Sequence, residues 1–187
     1  KLNVNGVFYN KTTDENGTVR LNIWLLPGSY IITVYNPSNG EENSNKIEVL
    51  SKLVAKDMTV EYQAGKNYTV KVLDGQGKAL ANQTVKININ GVIYTKITDE
   101  NGTARLNIWL YPGNYILTAY NPINNEARAS NVTVLSTING KDVTKYYRNG
   151  THYSAVVLDS NGTPLVNQTV KLNVNGVFYN KTTDENG

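Results

Sequence analysis

With 187 residues, 18 of them basic and 15 acidic, the chain carries a net charge of only +3. Its basic side chains are scattered rather than clustered, so nucleic-acid binding has no electrostatic footing. The absence of cysteine rules out disulfides and thiolate-held metal, and no apolar run approaches the ~18 residues of a helical membrane span.

Residues 1–17, KLNVNGVFYNKTTDENG, return unchanged as residues 171–187, and a diverged copy, KININGVIYTKITDENG, begins at Lys86. The copies start at positions 1, 86 and 171, a period of 85 residues without a gap. Residues 1–85 and 86–170 are identical at 47 of 85 positions, close enough to share one fold. A unit of 85 residues can close a core of its own, though with modest stability. Repeats of this size read as beads in an array rather than as catalytic units.

Apolar side chains recur with a period of two along almost the whole chain, the mark of half-buried strands. Residues 1–52 are expected to hold the last five strands of a unit. Within them Val19, Leu21, Ile23 and Leu25 alternate with Arg20, Asn22 and Trp24, which predicts a strand with the tryptophan turned outward. One complete unit is expected over residues 53–137, with strands near 53–60, 67–73, 83–89, 92–98, 103–110, 114–120 and 129–135. Tyr68, Val70 and Val72 form one inward set, and Val85, Ile87 and Ile89 a second. Leu106, Ile108 and Leu110 form a third, opposite Arg105, Asn107 and Trp109. Asn90-Gly91 between two alternating runs is a strong hairpin signal, because both turn positions need positive φ. Asp74-Gly75-Gln76-Gly77, Asp99-Glu100-Asn101-Gly102 and Pro112-Gly113 punctuate the rest. No stretch has the length, caps and period of a helix. Residues 138–187 are expected to supply the first three strands and most of the fourth of a further unit.

Seven short strands per period, with turns every eight to twelve residues, predict an all-β chain of tandem immunoglobulin-like β-sandwich domains. The frame divides the chain into residues 1–52, the C-terminal part of one repeat; 53–137, a complete sandwich; and 138–187, the N-terminal part of the next. By analogy with sandwich corners, Tyr115 after Pro112-Gly113 is expected to tie its hydroxyl to backbone. The chain reads as a window on a longer protein. Either it continues in both directions, or the end of one chain completes the start of another. The connections around residues 49–57 and 134–142 hold no Pro and no Gly/Ser run. They therefore predict a semi-rigid rod rather than tethered beads.

Few residues suggest chemistry. The single histidine, His152, is replaced by Asn67 in the sister unit, and no Ser-His-Asp or Cys-His set can be assembled. An enzyme is not expected, nor is a cofactor. Asp14-Glu15, Asp99-Glu100 and Asp184-Glu185 recur in a T-D-E-N-G turn. Such oxygens suit Ca²⁺, while short polar side chains also serve a tight turn by satisfying its backbone groups. N-x-[ST] sequons occur at Asn10, Asn16, Asn67, Asn82, Asn101, Asn131, Asn149, Asn161, Asn167 and Asn180, each an acceptor for N-glycosylation in a secreted protein. An Asn- and Thr-rich β protein also makes such triplets by chance, and the N-G-T ones suit turns. Trp24 and Trp109 are the candidate surface contacts, because an outward aromatic can stack on a sugar or a neighbouring chain.

The run GKALANQTVKININGVIYTKITDENGTARLNIWLYPGNYILTAYN resembles the repeat of adhesin-like surface proteins of methanogenic archaea. The motifs that carry the resemblance are L-(A/V)-N-Q-T-V, (I/V)-N-G-V-(F/I)-Y, T-D-E-N-G-T, L-N-I-W-L and P-G-(S/N)-Y. It implies an extracellular, cell-surface protein with an anchor elsewhere and a role in attachment or cell–cell contact, and it brings no site residues with it. A looser similarity is to Cna B-type pilin and adhesin domains, many of which lock themselves with a Lys–Asn isopeptide bond. Here the corresponding lysine would be Lys71, which is Val156 in the next unit, and the expected acid is missing at Thr118-Ala119-Tyr120. Three functions follow. The first is a non-enzymatic stalk or fibre whose partners are neighbouring repeats and other copies. The second is a module that binds a host or microbial surface glycan or protein through the Trp-bearing face. The third is a filament subunit joined by strand exchange.

Overall fold

A computed structural model describes all of residues 1–187. The chain is all β, with sixteen strands and no helix. It divides into two compact units, Lys1–Ser51 and Lys52–Gly187.

The first unit holds β1 (Leu2–Val4), β2 (Val7–Tyr9), β3 (Gly28–Tyr35) and β4 (Glu42–Val49). They form one antiparallel sheet in the order β2-β1-β3-β4. Asn5 and Gly6, at φ 45° and 89°, make the β1–β2 hairpin that the Asn-Gly pair predicts. Leu2 and Val4 are buried. Five strands were expected in this stretch and four form. The alternating run 19–25 is not one of them, since no segment of the chain hydrogen-bonds to it. A period-two pattern fits a pleated surface but does not supply the partner that makes a strand.

In the second unit, residues 53–135 build a sandwich from eight strands. These are β5 (Leu53–Ala55), β6 (Met58–Glu61), β7 (Asn67–Val72), β8 (Thr84–Ile89), β9 (Val92–Ile97), β10 (Thr103–Asn107), β11 (Gly113–Asn121) and β12 (Glu126–Leu135). One sheet runs β10-β7-β5 and the other β6-β12-β11-β8-β9. This is a two-sheet β-sandwich, with inward sets from both sheets making one core. Leu53, Val70, Val72, Val85, Ile87, Ala104, Leu117, Ala119 and Val132 are its most buried members.

The single first strand predicted over 53–60 is two strands in two sheets. Leu53 and Ala55 turn inward from β5, which pairs antiparallel with β7. Val60 turns inward from β6, which pairs parallel with β12. Lys56 and Asp57 between them shift the inward positions from odd to even, so the chain crosses from one sheet to the other. The Asp57 carboxylate accepts the N–H of Asn131 at 2.8 Å, which gives β12 a side-chain partner at the crossing point.

After the sandwich come β13 (Ile138–Gly140), β14 (Ala155–Val157), β15 (Thr169–Val174) and β16 (Val177–Thr182), paired β13–β14 and β15–β16. Their register matches that of β5 with β7 and of β8 with β9, one period on.

Candidate functional site

The loop from β10 to β11 presents Trp109. Ile108 before it is buried and Leu110 after it packs against the core, so the intervening side chain is forced outward and is 68% exposed. Tyr111 is also exposed and stacks on Tyr62, with ring centroids 5.8 Å apart and planes at 17°. The loop is pinned by the corner tyrosine: Tyr115 donates its hydroxyl to the Tyr111 carbonyl at 2.8 Å. Tyr30 does the same to Leu26 in the first unit, also at 2.8 Å, and Trp24 there is 90% exposed. The guanidinium groups expected beside the tryptophans are committed elsewhere. Arg105 binds the Asp99 carboxylate and Arg20 that of Asp14 at 2.7 Å.

The T-D-E-N-G turns are built by their aspartates. One Asp99 oxygen accepts the N–H groups of Asn101 at 3.0 Å and Thr103 at 2.9 Å, and the other meets Arg105. Asp14 repeats this with Asn16, Thr18 and Arg20. Asp74 and Asp159 use the same backbone pattern without the arginine. The Arg105 hydrogen bond, followed by the Thr103 N–H, holds the Asp99 carboxyl below its ordinary value of 3.8. Asp14 is lowered chiefly by the Thr18 N–H, Asp74 by that of Lys78 and Asp159 by that of Thr163. These aspartates therefore act as turn-makers, and no group of three or more His, Asp or Glu side chains converges as a metal cage would require.

All ten sequon asparagines are exposed. Asn16, Asn101 and Asn161 lie inside Asp-headed turns. Asn82 and Asn167 take positive φ, at 56° and 55°. Asn131 gives its amide to Asp57, Asn149 accepts from the Thr151 N–H, and Asn10, Asn67 and Asn180 lie on or beside β2, β7 and β16. His152 is exposed in a segment without strand, and Lys71 is exposed on β7 between the buried Val70 and Val72.

Alternation alone turns Lys86 and Asn88 outward on β8, but it does not join them to Ile93 on β9 and Tyr120 on β11. Lys86 and Asn88 on β8, Ile93 on β9 and Tyr120 on β11 border an open depression of about 630 Å³, lined also by Asn121, Pro122 and Asn125. The signal was available in the repeat, since Lys86 and Asn88 recur as Lys1 and Asn3 and again as Lys171 and Asn173.

No family model matches the chain, and no curated protein matches it. Among solved structures, it is similar to SGBP-B of the Bacteroides ovatus mixed-linkage glucan utilization locus, solved with a mixed-linkage heptasaccharide. That match has 11% identity and a TM-score of 0.32, over 74% of this chain and 38% of that one. Domains 4–9 of the surface layer protein SbsC match at 13% identity and a TM-score of 0.31, over 94% of this chain and 37% of that one. A 1.5-MDa bacterial ice-binding adhesin matches at 18% identity and a TM-score of 0.25, over 100% and 71%. The chain thus spans well under half of the first two structures. TM-scores this low are no ground for transferring a ligand or a role from any of the three to this chain.

Proposed function

We propose that this chain is a non-enzymatic structural segment of a large archaeal cell-surface, adhesin-like protein, in which sandwiches of the residue 53–137 type follow one another as a stalk or fibre. The observation that carries this reading is the ungapped 85-residue period, together with a core that closes within residues 53–135. Only Ser136 and Thr137 separate β12 from β13, too short a connection for a tether. In this reading residues 1–52 and 138–187 are parts of flanking repeats, and some of the exposed sequon asparagines carry glycans on a secreted chain. Pulling the chain by its ends in a force spectrometer tests the proposal. A mechanical bead gives one cooperative rupture releasing about 25–30 nm, as expected for some eighty residues at ~3.6 Å each. Smooth extension without a rupture would sink it.

A second reading gives the Trp109 loop a contact role toward a glycan or a neighbouring protein. It is favoured by the side-by-side exposure of Trp109 and Tyr111 on a loop held by Tyr62 and Tyr115.

A further inference from the structure

We propose that the depression on the outer face of β8, β9 and β11 is a saccharide subsite, suited to a sugar ring that carries a carboxylate. It goes beyond the stalk reading and is separate from the Trp109 loop.

The first ground is what the two units keep and what they change on this face. Cross-strand register fixes which residues share it. The β12 row, Ala127, Ala129, Asn131 and Thr133, is replaced throughout in the first unit by Glu42, Ser44, Lys46 and Glu48. The β11 row, Ile116, Thr118 and Tyr120, is kept as Ile31, Thr33 and Tyr35. Lys86, Asn88, Asn121 and Pro122 are kept as Lys1, Asn3, Asn36 and Pro37. Solvated strand positions accept most β-formers, and the β12 row and the β9 row, where Ile93 and Thr95 become Phe8 and Asn10, drift accordingly, while Lys86, Asn88, Tyr120, Asn121 and Pro122 are kept.

Local structure explains part of this. The Asn88 carbonyl oxygen accepts the Gly91 N–H at 3.1 Å, and that of Asn121 accepts the Ile123 N–H at 3.1 Å, so both asparagines serve turns. Nothing in the fold requires Lys86 or Tyr120. The two are cross-strand partners with exposed side chains, and neither side chain makes a hydrogen bond or ion pair within the chain.

The second ground is chemical. The Tyr120 ring and the Ile93 side chain, 58% exposed, offer an apolar bed for the C–H face of a pyranose. Where Ile93 is replaced by Phe8 or Phe178, a lysine ammonium stands over the ring, Lys1 at 4.0 Å and Lys171 at 4.1 Å. Phe8 in turn lies 6.3 Å from Tyr35, which brings the same lysine–apolar–tyrosine trio together in the first unit. With its oxygen committed to Gly91, the Asn88 carboxamide keeps its NH₂ as a donor for a sugar hydroxyl. The lining contains one cation and no carboxylate. Glu126 at the start of β12 is engaged by the Lys52 N–H and the Asn124 amide. An anionic ring is therefore preferred to a neutral or cationic one. The volume of about 630 Å³ suits one or two rings.

The whole chain, labelled with ¹⁵N, is titrated with a galacturonate trimer and separately with a galactose trimer, up to about 10 mM, the weak end of the affinity scale. The proposal expects amide shifts from the acidic trimer centred on Asn88, Ile93, Tyr120 and Asn121. Lys86→Gln should weaken the acidic trimer about fivefold at those amides and leave the neutral one unchanged. Tyr120→Ala should weaken both about tenfold, and Trp109→Ala neither. Shifts absent, shifts centred on Trp109, or Lys86→Gln without effect would each overturn the proposal. So would shifts that depend on protein concentration without sugar, since a second copy would then occupy the face. The stalk reading survives any of these results, because it predicts rupture behaviour and no ligand.

Discussion

The same five residues, Thr-Asp-Glu-Asn-Gly, stand at 13–17 and at 98–102 and make the same turn in both places. Gly17 and Gly102 have φ of 72° and 69°, and each donates its N–H to the carbonyl of its aspartate at 2.9 Å. The surroundings differ. Gly102 is buried, its carbonyl accepts the Val72 N–H at 2.8 Å, and Thr98 donates its hydroxyl to the Leu80 carbonyl at 2.7 Å. At Gly17 nothing lies within 4 Å of where a Cβ would be, and Thr13 is exposed. The turn is thus a local property of five residues, whereas its role as a clamp between β7, β10 and the loop before β8 is tertiary.

Gly102→Ala sharpens this contrast with the largest expected effect. An added Cβ would meet the Val72 carbonyl oxygen at 2.8 Å and the Leu80 nitrogen at 2.9 Å, both backbone atoms that cannot step aside. With the positive φ added, a loss of about 2–4 kcal/mol is expected. Gly17→Ala carries only the φ term, about 1 kcal/mol. Native-state hydrogen exchange on β7, β8 and β11 reads the first change, and exchange on β1 and β3 reads the second. Equal losses at the two glycines would show that docking contributes nothing.

Tyr68 and Tyr153 form the next pair. Tyr68 is 1% exposed and donates its hydroxyl to Ser130 Oγ at 2.9 Å, joining the two sheets inside the core. Burial pushes its phenol above the ordinary value of 10.0. Tyr153, one period later, is 55% exposed, with its hydroxyl against Gly140. Tyr68→Phe should cost about 1–2 kcal/mol in urea unfolding, because Ser130 then stays buried without a partner. Replacing Ser130 by Ala as well should recover part of that loss. Tyr153→Phe should fall within about 0.5 kcal/mol of the parent. A Tyr68→Phe protein as stable as the parent would mean that the hydroxyl pair only breaks even.

Tyr115 comes third. Its hydroxyl bond to Tyr111 is near the surface, so Tyr115→Phe should lose about 1 kcal/mol or less. Its more telling effect should be faster quenching or broadening at Trp109, whose loop the bond holds. If Trp109 fluorescence anisotropy is unchanged, the corner does not position the tryptophan.

These comparisons also mark what the sequence could and could not disclose. Val85, Ile87 and Ile89, or Leu106 and Ile108, announce their strands because a buried face writes itself as alternation. The run Val19 to Leu25 carries an equivalent pattern and is no strand, since pairing depends on a neighbour that a pattern cannot contain. The sheet switch at Lys56-Asp57 shows only as a change of parity between Ala55 and Met58, easily taken for a ragged strand. The Tyr115 corner was legible from Pro-Gly-x-Tyr. The Lys86–Tyr120 depression was not, because its residues lie on three strands and share a face only once the register is known. Outward side chains carry no periodic signal of their own. Only the repeat, with Lys86 and Asn88 reappearing at both flanks, singled them out.

The smallest effect expected is on acid stability, and it separates Asp99 from Asp74 within one sandwich. Both carboxyls titrate below 3.8 when folded, Asp99 through Arg105 first and Asp74 through the Lys78 N–H first. A depressed folded value means that the contribution is complete above the unfolded value and is lost as pH falls through the folded one. Urea midpoints should therefore hold level down to about pH 4.5 and decline below 3.8. Both groups sit at the surface, so the decline is shallow. Asp99→Asn should flatten it, because the amide oxygen still accepts the Asn101 and Thr103 N–H groups while the charge on Arg105 loses its partner. Asp74→Asn should flatten it as well, and added salt tells the two apart. The Arg105 pair is screened at high ionic strength, whereas backbone N–H bonds to a carboxylate are short-ranged and much less so. High salt should thus remove most of the Asp99→Asn difference and a smaller part of that of Asp74→Asn, whose carboxylate is held first by backbone N–H groups and only then by the Lys78 and Lys52 charges. Equal salt sensitivity in the two variants would mean that the arginine contributes nothing beyond the turn.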